Sequence, residues 1–246
     1  MRVVVLTTPT KHHTYFLNRL HENFEIVGIF YEGRRLQKAY PTGPFFESEE
    51  DRFEDRFFEA EHGGVAEELP NTLQKRVCEY YNLNEADAVA HISELSPEVA
   101  ITYGVGLVKE ATFSLPRWGT VNVHRGIIQR YRGLDSDLWA IYEEEFDQIG
   151  VTLHYVDKGL DTGAIIEQRR IQIEPSDEIY HMRYKTGVLA TELMIKVLTE
   201  MKSTEGPVMG RPQFETGPYY TAMSLDQKKV AWECFQKFVR NQFKTE

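Results

Sequence analysis

Cysteine is scarce in this chain: Cys78 and Cys234, far apart, are the two present in 246 residues. A disulfide framework needs more, so the composition points to a reducing compartment and the expected location is the cytoplasm. No apolar run approaches the roughly 20 residues of a membrane span. The opening MRVVVLTTPT carries one positive charge but neither the longer apolar stretch nor the small-residue cleavage site of a secretory signal, and it reads as a first strand. Positive charge is also in deficit. Lys and Arg number 28 against 38 Asp and Glu, a formal net charge of -10. General nucleic-acid binding needs a basic face, so no nucleic-acid partner is expected, although Arg125, Arg130 and Arg132 form a local basic candidate. No Cys/His cluster has metal-ligand spacing, and no metal is expected.

What is present is ordinary globular material, 41% hydrophobic and 27% charged, long enough for one sizeable core or a domain plus a small extension. Val3 to Leu6 is a β-branched run of the kind that suits a strand covered on both faces. Tyr15, Phe16, Leu17 and Leu20 then lie in a helix, and Ile26 to Phe30 forms a second apolar run, a βαβ opening. Residues 32 to 64 differ. A loop with Arg34 and Arg35 leads into the acidic-aromatic FFESEEDRFEDRFFEAEHGG, which reads as a solvated helix with Phe53, Phe57 and Phe58 turned inward, ended at Gly63-Gly64. A helix is expected over Leu73 to Tyr81, and strands over Ala88 to Ile92, Val99 to Tyr103, Gly119 to His124, Val151 to Val156 and Ile165 to Ile173. Pro175-Ser176 opens a long helix, with Ser176 as N-cap and Met182, Leu189, Leu193, Val197 and Met201 as its buried stripe. Gly, Pro, Ser and Thr dominate Ser203 to Pro218, a linker before a short aromatic tail. The expectation is an α/β fold with a mostly parallel twisted sheet flanked by helices, residues 1–202 forming the main domain and 203–246 a linker and small C-terminal extension. In such sheets, ligands bind at the carboxyl ends of the strands.

Trp118 to Gly163 carries the chemistry. Asn122 and His124 are two residues apart, so on a strand both side chains point to one side. An amide can stabilise an oxyanion while an imidazole moves a proton, a pairing suited to acyl transfer. A carboxylate turned toward the imidazole would stabilise its charged form and hold its orientation. Asp135, Asp137, Asp157 and Asp161 are the local candidates, and spacing does not choose among them.

The runs NVHRGIIQRYRG, WAI and GVTLHYVDKGLDTG, in this order, resemble the catalytic domain of the folate-dependent formyltransferases. Their pattern is close to N-x-H-x-S-L-L-P-x-Y-R-G, W-A-I and G-V-T-x-H-x-x-D-x-G-x-D-T-G. The likeness reaches back through SPEVAITYGVGLVKEATF and covers roughly residues 1 to 200. It implies a Rossmann-like formyltransferase fold and the transfer of a formyl group from N10-formyltetrahydrofolate to a primary amine. It also implies Asn122, His124 and Asp161 as the catalytic trio, with Asn122 and a protonated His124 stabilising the oxyanion and Asp161 keeping the imidazole protonated. Cofactor contacts are implied at Val105, Leu107, Val156, Asp157 and Gly159, largely through backbone. Acceptor contacts are implied at Arg125, Tyr131, Arg132 and Gly133, with a surface salt bridge as the plainer role for Arg132.

The chain departs from that pattern in places. Gly126-Ile127-Ile128-Gln129 replaces Ser-Leu-Leu-Pro, Arg125 stands where Pro or a small residue is usual, and residues 34–64 are longer and more acidic. The first turn, TTPTK, lacks a glycine-rich phosphate cradle, which argues against glycinamide ribonucleotide as acceptor. Linker and tail together span 44 residues, and with the acidic charge this argues against tRNA. The remaining class is the bacterial sugar N-formyltransferases, which act on nucleotide-linked amino sugars; a homodimer is the family expectation. Tyr219, Tyr220 and Trp232 would then stack on a base or pack. Alternatives are another small amine, such as a hydroxyornithine-like acceptor, a formyl-folate hydrolase, or a non-catalytic folate or nucleotide binder on the same scaffold. His154 reads as supporting structure, and His12-His13, opening the first helix, as surface or as contacts to an anionic acceptor.

Overall fold

The computed structural model describes residues 1–34, 37–62 and 68–243. Strand β1 (Arg2–Thr7), helix α1 (Lys11–His21) and β2 (Glu25–Glu32) form the opening βαβ unit. Then come α2 (Pro44–His62), α3 (Asn71–Gln74), β3 (Val77–Tyr80), α4 (Ala86–Glu94), β4 (Val99–Tyr103), α5 (Glu110–Phe113) and β5 (Thr120–His124). The second half holds β6 (Arg132–Gly133), α6 (Ser136–Tyr142), β7 (Gly150–Tyr155), β8 (Ile165–Arg170), α7 (Ile179–Thr204), β9 (Tyr219–Tyr220) and α8 (Leu225–Phe243).

Seven strands make one sheet in the order β3-β2-β1-β4-β5-β7-β8. The first five run parallel, while β7 and β8 are antiparallel to their neighbours. The order reverses at β1, because the chain moves outward to β3 and then returns to β4 on the other side. A reversal of this kind opens a crevice at the carboxyl ends of the strands. The β-branched run of β1 serves both faces. Val3 and Val5 pack with α1 and α7, whereas Val4 and Leu6 pack with Phe30, Leu83 and Ile92 beneath α4. A second core joins α2, α6, the start of α7 and α8 through Phe57, Tyr131, Leu138, Ile141, Met182 and Phe235. The C-terminal helix is therefore built into the core. No helix among the described residues is long and apolar enough to cross a membrane.

Several local expectations fail for identifiable reasons. Leu73 to Tyr81 is a single helical turn followed by β3, since parallel pairing with β2 overrides the helical spacing. Ala88 to Ile92 is the middle of α4; its apolar residues are too few to separate a short strand from a short helix by period. The long helix begins at Ile179, with Glu178 rather than Ser176 as N-cap, because Glu178 and His181 form a reciprocal capping box. β8 ends at Arg170, short of Ile173. Gly63-Gly64 lies outside the described residues, so the expected glycine stop of α2 is not described.

Candidate active site

β5 delivers Asn122 and His124 on one face at the carboxyl end of the sheet, as their spacing requires. Across from them, the loop after β7 brings Asp161, held in the left-handed region at φ 54°. All three line a cleft of about 710 Å³.

The hydrogen bonds set each group's orientation. The Tyr131 carbonyl accepts from His124 Nε2 at 2.7 Å. That leaves Nδ1 turned toward Asp161, 3.8 Å from Oδ2. Where the family run carries serine, Gly126 leaves room: a Cβ there would lie 2.6 Å from Ser136 Cβ and 2.9 Å from His124 Nε2. Ser136 instead places its hydroxyl 3.3 Å from that nitrogen. The Asn122 carbonyl accepts from Thr102 Oγ1 at 2.7 Å, which assigns the amide nitrogen to the other side, 3.0 Å from His154 Nε2. His154 donates from Nδ1 to the Tyr155 carbonyl at 2.8 Å, so its Nε2 is free to accept from Asn122 when neutral. His154 thus orients the Asn122 amide and also approaches Asp161 Oδ1 at 3.5 Å. Asp161 Oδ2 accepts from Gly133 N–H at 2.9 Å. Only glycine fits at 133, with φ 94° and a Cβ position 2.2 Å from the Tyr220 carbonyl.

Electrostatics separates the two titratable partners. Burial lowers the His124 pKa below its ordinary value, and the opposing pull of Asp161 is smaller. That direction favours the neutral ring, against the expectation that Asp161 keeps the imidazole protonated. Burial would raise the Asp161 carboxyl, but the His154 contact, the nearby imidazoles and the Gly133 N–H bring it down to about 2.

The cleft has two lobes. One is walled by backbone of Val105 to Leu107 and Val156 to Leu160, with Leu107 51% exposed. Asn84 clamps the first loop by donating to the Leu107 carbonyl and accepting from Lys109 N–H. The Asp157 carboxylate shapes the second by accepting from Gly159 N–H and Thr162 Oγ1. Backbone edges beside apolar side chains suit a flat, hydrogen-bonding heterocycle. The other lobe is lined by Thr10, His12, His13, Arg125, Asp137 and Arg183.

Of the expected acceptor residues, Arg125 and Gly133 line the cleft, whereas Tyr131 and Arg132 do not. Tyr131 is core, its hydroxyl donating to Glu143 and Glu145. Arg132 donates to the Gly217 and Leu160 carbonyls and so staples the C-terminal segment to the Asp161 loop. Tyr219 lines the cleft mouth; Tyr220 packs between Tyr131 and Trp139. Of His12 and His13, expected at the surface, His13 is buried and His12 is half-buried. Thr102, Arg183 and Gln213 escape sequence reading, since none sits in a run whose spacing signals a site.

A Rossmann-like α/β sheet with an Asn–His–Asp constellation at its carboxyl edge defines a class of group-transfer scaffold. A family model for formyl transferases matches residues 37–198, and the chain belongs to that family. Methionyl-tRNA formyltransferase of Thermodesulfovibrio yellowstonii is 30% identical over 158 residues, 63% of this chain and 50% of the relative. The chain spans about half the length of the curated relatives it matches. Among solved structures, a sugar N-formyltransferase from a Shewanella species shares the fold at TM-score 0.61 and 15% identity, covering 95% of this chain and 87% of that one. The formyltransferase PseJ of Anoxybacillus kamchatkensis, solved with UDP-4,6-dideoxy-4-formamido-L-AltNAc and tetrahydrofolate, matches at TM-score 0.53 and 19% identity, covering 93% and 88%.

Proposed function

We propose that this protein transfers a formyl group from N10-formyltetrahydrofolate to a primary amine, the amine of a nucleotide-linked amino sugar. The observation that carries the reading is the convergence of Asn122, His124 and Asp161 on one cleft. The heterocycle of the donor fits the lobe of backbone edges at Val105, Leu107, Val156, Asp157 and Gly159, and the acceptor takes the other.

The chain's own groups account for the chemistry. Asn122 Nδ2 has a second N–H beyond the one given to His154, and this N–H faces charge growing on the formyl oxygen. The neutral His124 presents the Nδ1 lone pair and takes a proton from the attacking amine. Once charged, the imidazolium is stabilised by Asp161, which stays ionised throughout the neutral range. His124 can then pass the proton to the departing nitrogen.

The sugar acceptor is supported by the two solved neighbours whose lengths match this chain almost throughout, one of them holding a formamido sugar on UDP. Incubation with N10-formyltetrahydrofolate and a panel of UDP- and dTDP-linked amino sugars, followed by mass spectrometry, tests the reading. Gain of one formyl group by an amino sugar is expected. Formylation of methionyl-tRNA or of glycinamide ribonucleotide instead would replace the acceptor, and donor binding without any formyl release would replace the activity.

A further inference from the structure

Helix α2, the acidic-aromatic segment, ends against the acceptor lobe. Its Glu61 is 4% exposed and sits beneath two guanidiniums: Oε1 is 3.7 Å from Arg125 Nη1 and 4.0 Å from Arg183 Nε. Its other oxygen lies 3.0 Å from His12 Nδ1. Phe57 holds the helix end in place, with Arg183 4.8 Å above its ring.

The polar atoms here are incompletely paired. Among the described residues, Arg125 Nη1 and Arg183 Nε are buried donors without a hydrogen-bond partner. Both Glu61 oxygens and His13 Nε2 are buried acceptors in the same state, and the Tyr103 hydroxyl is of either kind. His13 Nδ1 lies 3.0 Å from both the Thr8 carbonyl and the Thr8 hydroxyl; the carbonyl can only accept, which places the proton on Nδ1 and makes Nε2 the acceptor. Buried polar atoms are normally satisfied. The free groups are thus of both kinds in one place. A phosphate or carboxylate would answer the guanidiniums and leave Glu61 and His13 worse off. An ammonium would do the reverse. A hydroxyl accepts and donates at once.

Charge points the same way. Burial, reinforced by Arg125 and Arg183 at His12 and by His12 and Arg125 at His13, pushes both rings well below 6.5, so neither adds positive charge at pH 7. Arg183 faces Glu54, Asp137, Glu61 and Asp135. Glu61 is the carboxylate within 4 Å of Arg125 among the described residues. The two guanidiniums are therefore compensated before any ligand arrives.

We infer that the lobe lined by Thr10, His12, His13, Tyr103, Arg125, Asp137 and Arg183 binds an uncharged, hydroxyl-bearing part of the acceptor and refuses phosphate and carboxylate, and that Glu61 sets this choice. The inference rests on the reading of the cleft as a donor–acceptor site. It confines the phosphates of any nucleotide carrier to the cleft mouth, on the Tyr219 side.

The test uses the full chain, with inorganic phosphate and a methyl glycoside of an amino-deoxyhexose as probes in ligand-observed NMR titrations. Wild type should bind the glycoside, and phosphate should not displace it. Glu61→Gln keeps the side-chain shape and removes the charge beneath Arg125. It should bind phosphate about tenfold or more tightly than wild type, with phosphate now displacing the glycoside. Adding Arg125→Gln should abolish that gain. Saturable phosphate binding to wild type, competitive with the glycoside, overturns the inference. So does a folded Glu61→Gln with wild-type phosphate affinity, or a wild type that binds no glycoside. The wild-type titrations decide the matter even where the variant fails to fold. Formyl transfer is scored separately: an enzyme that formylates an amine yet takes phosphate in this lobe sinks this inference alone, and one that binds the glycoside but formylates nothing sinks the proposed activity alone.

Discussion

At the residue scale, three groups differ in what their removal should do. Asn122 contributes an oxyanion donor, so Asn122→Ala should raise the barrier by about 2.7–4 kcal/mol. Single-turnover rates should fall accordingly while the melting temperature holds near wild type. His124→Ala should lower kcat by about 10²–10⁴-fold. Because the working form of His124 is neutral and its pKa lies below the ordinary 6.5, kcat should rise through a pKa under 6.5 and be flat across pH 7 to 8. A rate that instead grows on acidification through that range contradicts the proton-accepting role. Asp161 gives a stability signature. Its folded pKa of about 2 lies below the ordinary 3.8, so the bound proton favours the unfolded chain. The stabilisation is complete above about pH 4, worth about 2 kcal/mol, and is lost as pH falls toward 2. Urea midpoints of Asp161→Asn against wild type should converge as pH drops through that window.

At the element scale, the segment between α7 and α8 is a strap over the active site. Gln213 Nε2 donates to the Gly163 carbonyl at 2.7 Å and to the Asp161 carbonyl at 3.3 Å. Pro218 and Tyr220 carbonyls accept from Arg132 and Leu134 N–H groups, and β9 pairs with β6. The strap therefore holds Asp161 in a left-handed backbone state that an aspartate does not favour. Gln213→Ala should lower kcat by about ten- to hundredfold through misplacement of the carboxylate, with a smaller change in the donor KM. An unchanged kcat would remove Gln213 from the positioning scheme. Composition alone made this stretch a linker, because glycine, proline and serine mark irregular backbone whether it hangs free or is clasped. The same blindness explains α4. Five residues of mixed character fit either period, and the surrounding packing decides.

At the scale of the whole molecule there are three cores, one on each face of the sheet and one among α2, α6, α7 and α8. Phe235 of α8 is fully buried in the last of these. Phe235→Ala should reduce the unfolding free energy by about 3–5 kcal/mol, read from urea titration. A near-neutral effect would mark α8 as an appendage.

The sequence by itself determined the βαβ opening, the parallel strand β4 and the placement of Asn122 and His124 on one strand face. Those features depend on neighbours within a few positions, and the period of a strand is enough to read them. The family pattern selected Asp161 where spacing left four aspartates open. Tertiary structure alone decided the burial of the His124 and His13 rings and the meeting of Glu61, Arg125 and Arg183. Those facts depend on what surrounds a group in space, and residues 61, 125 and 183 come together only because α2 and α7 pack against the end of β5.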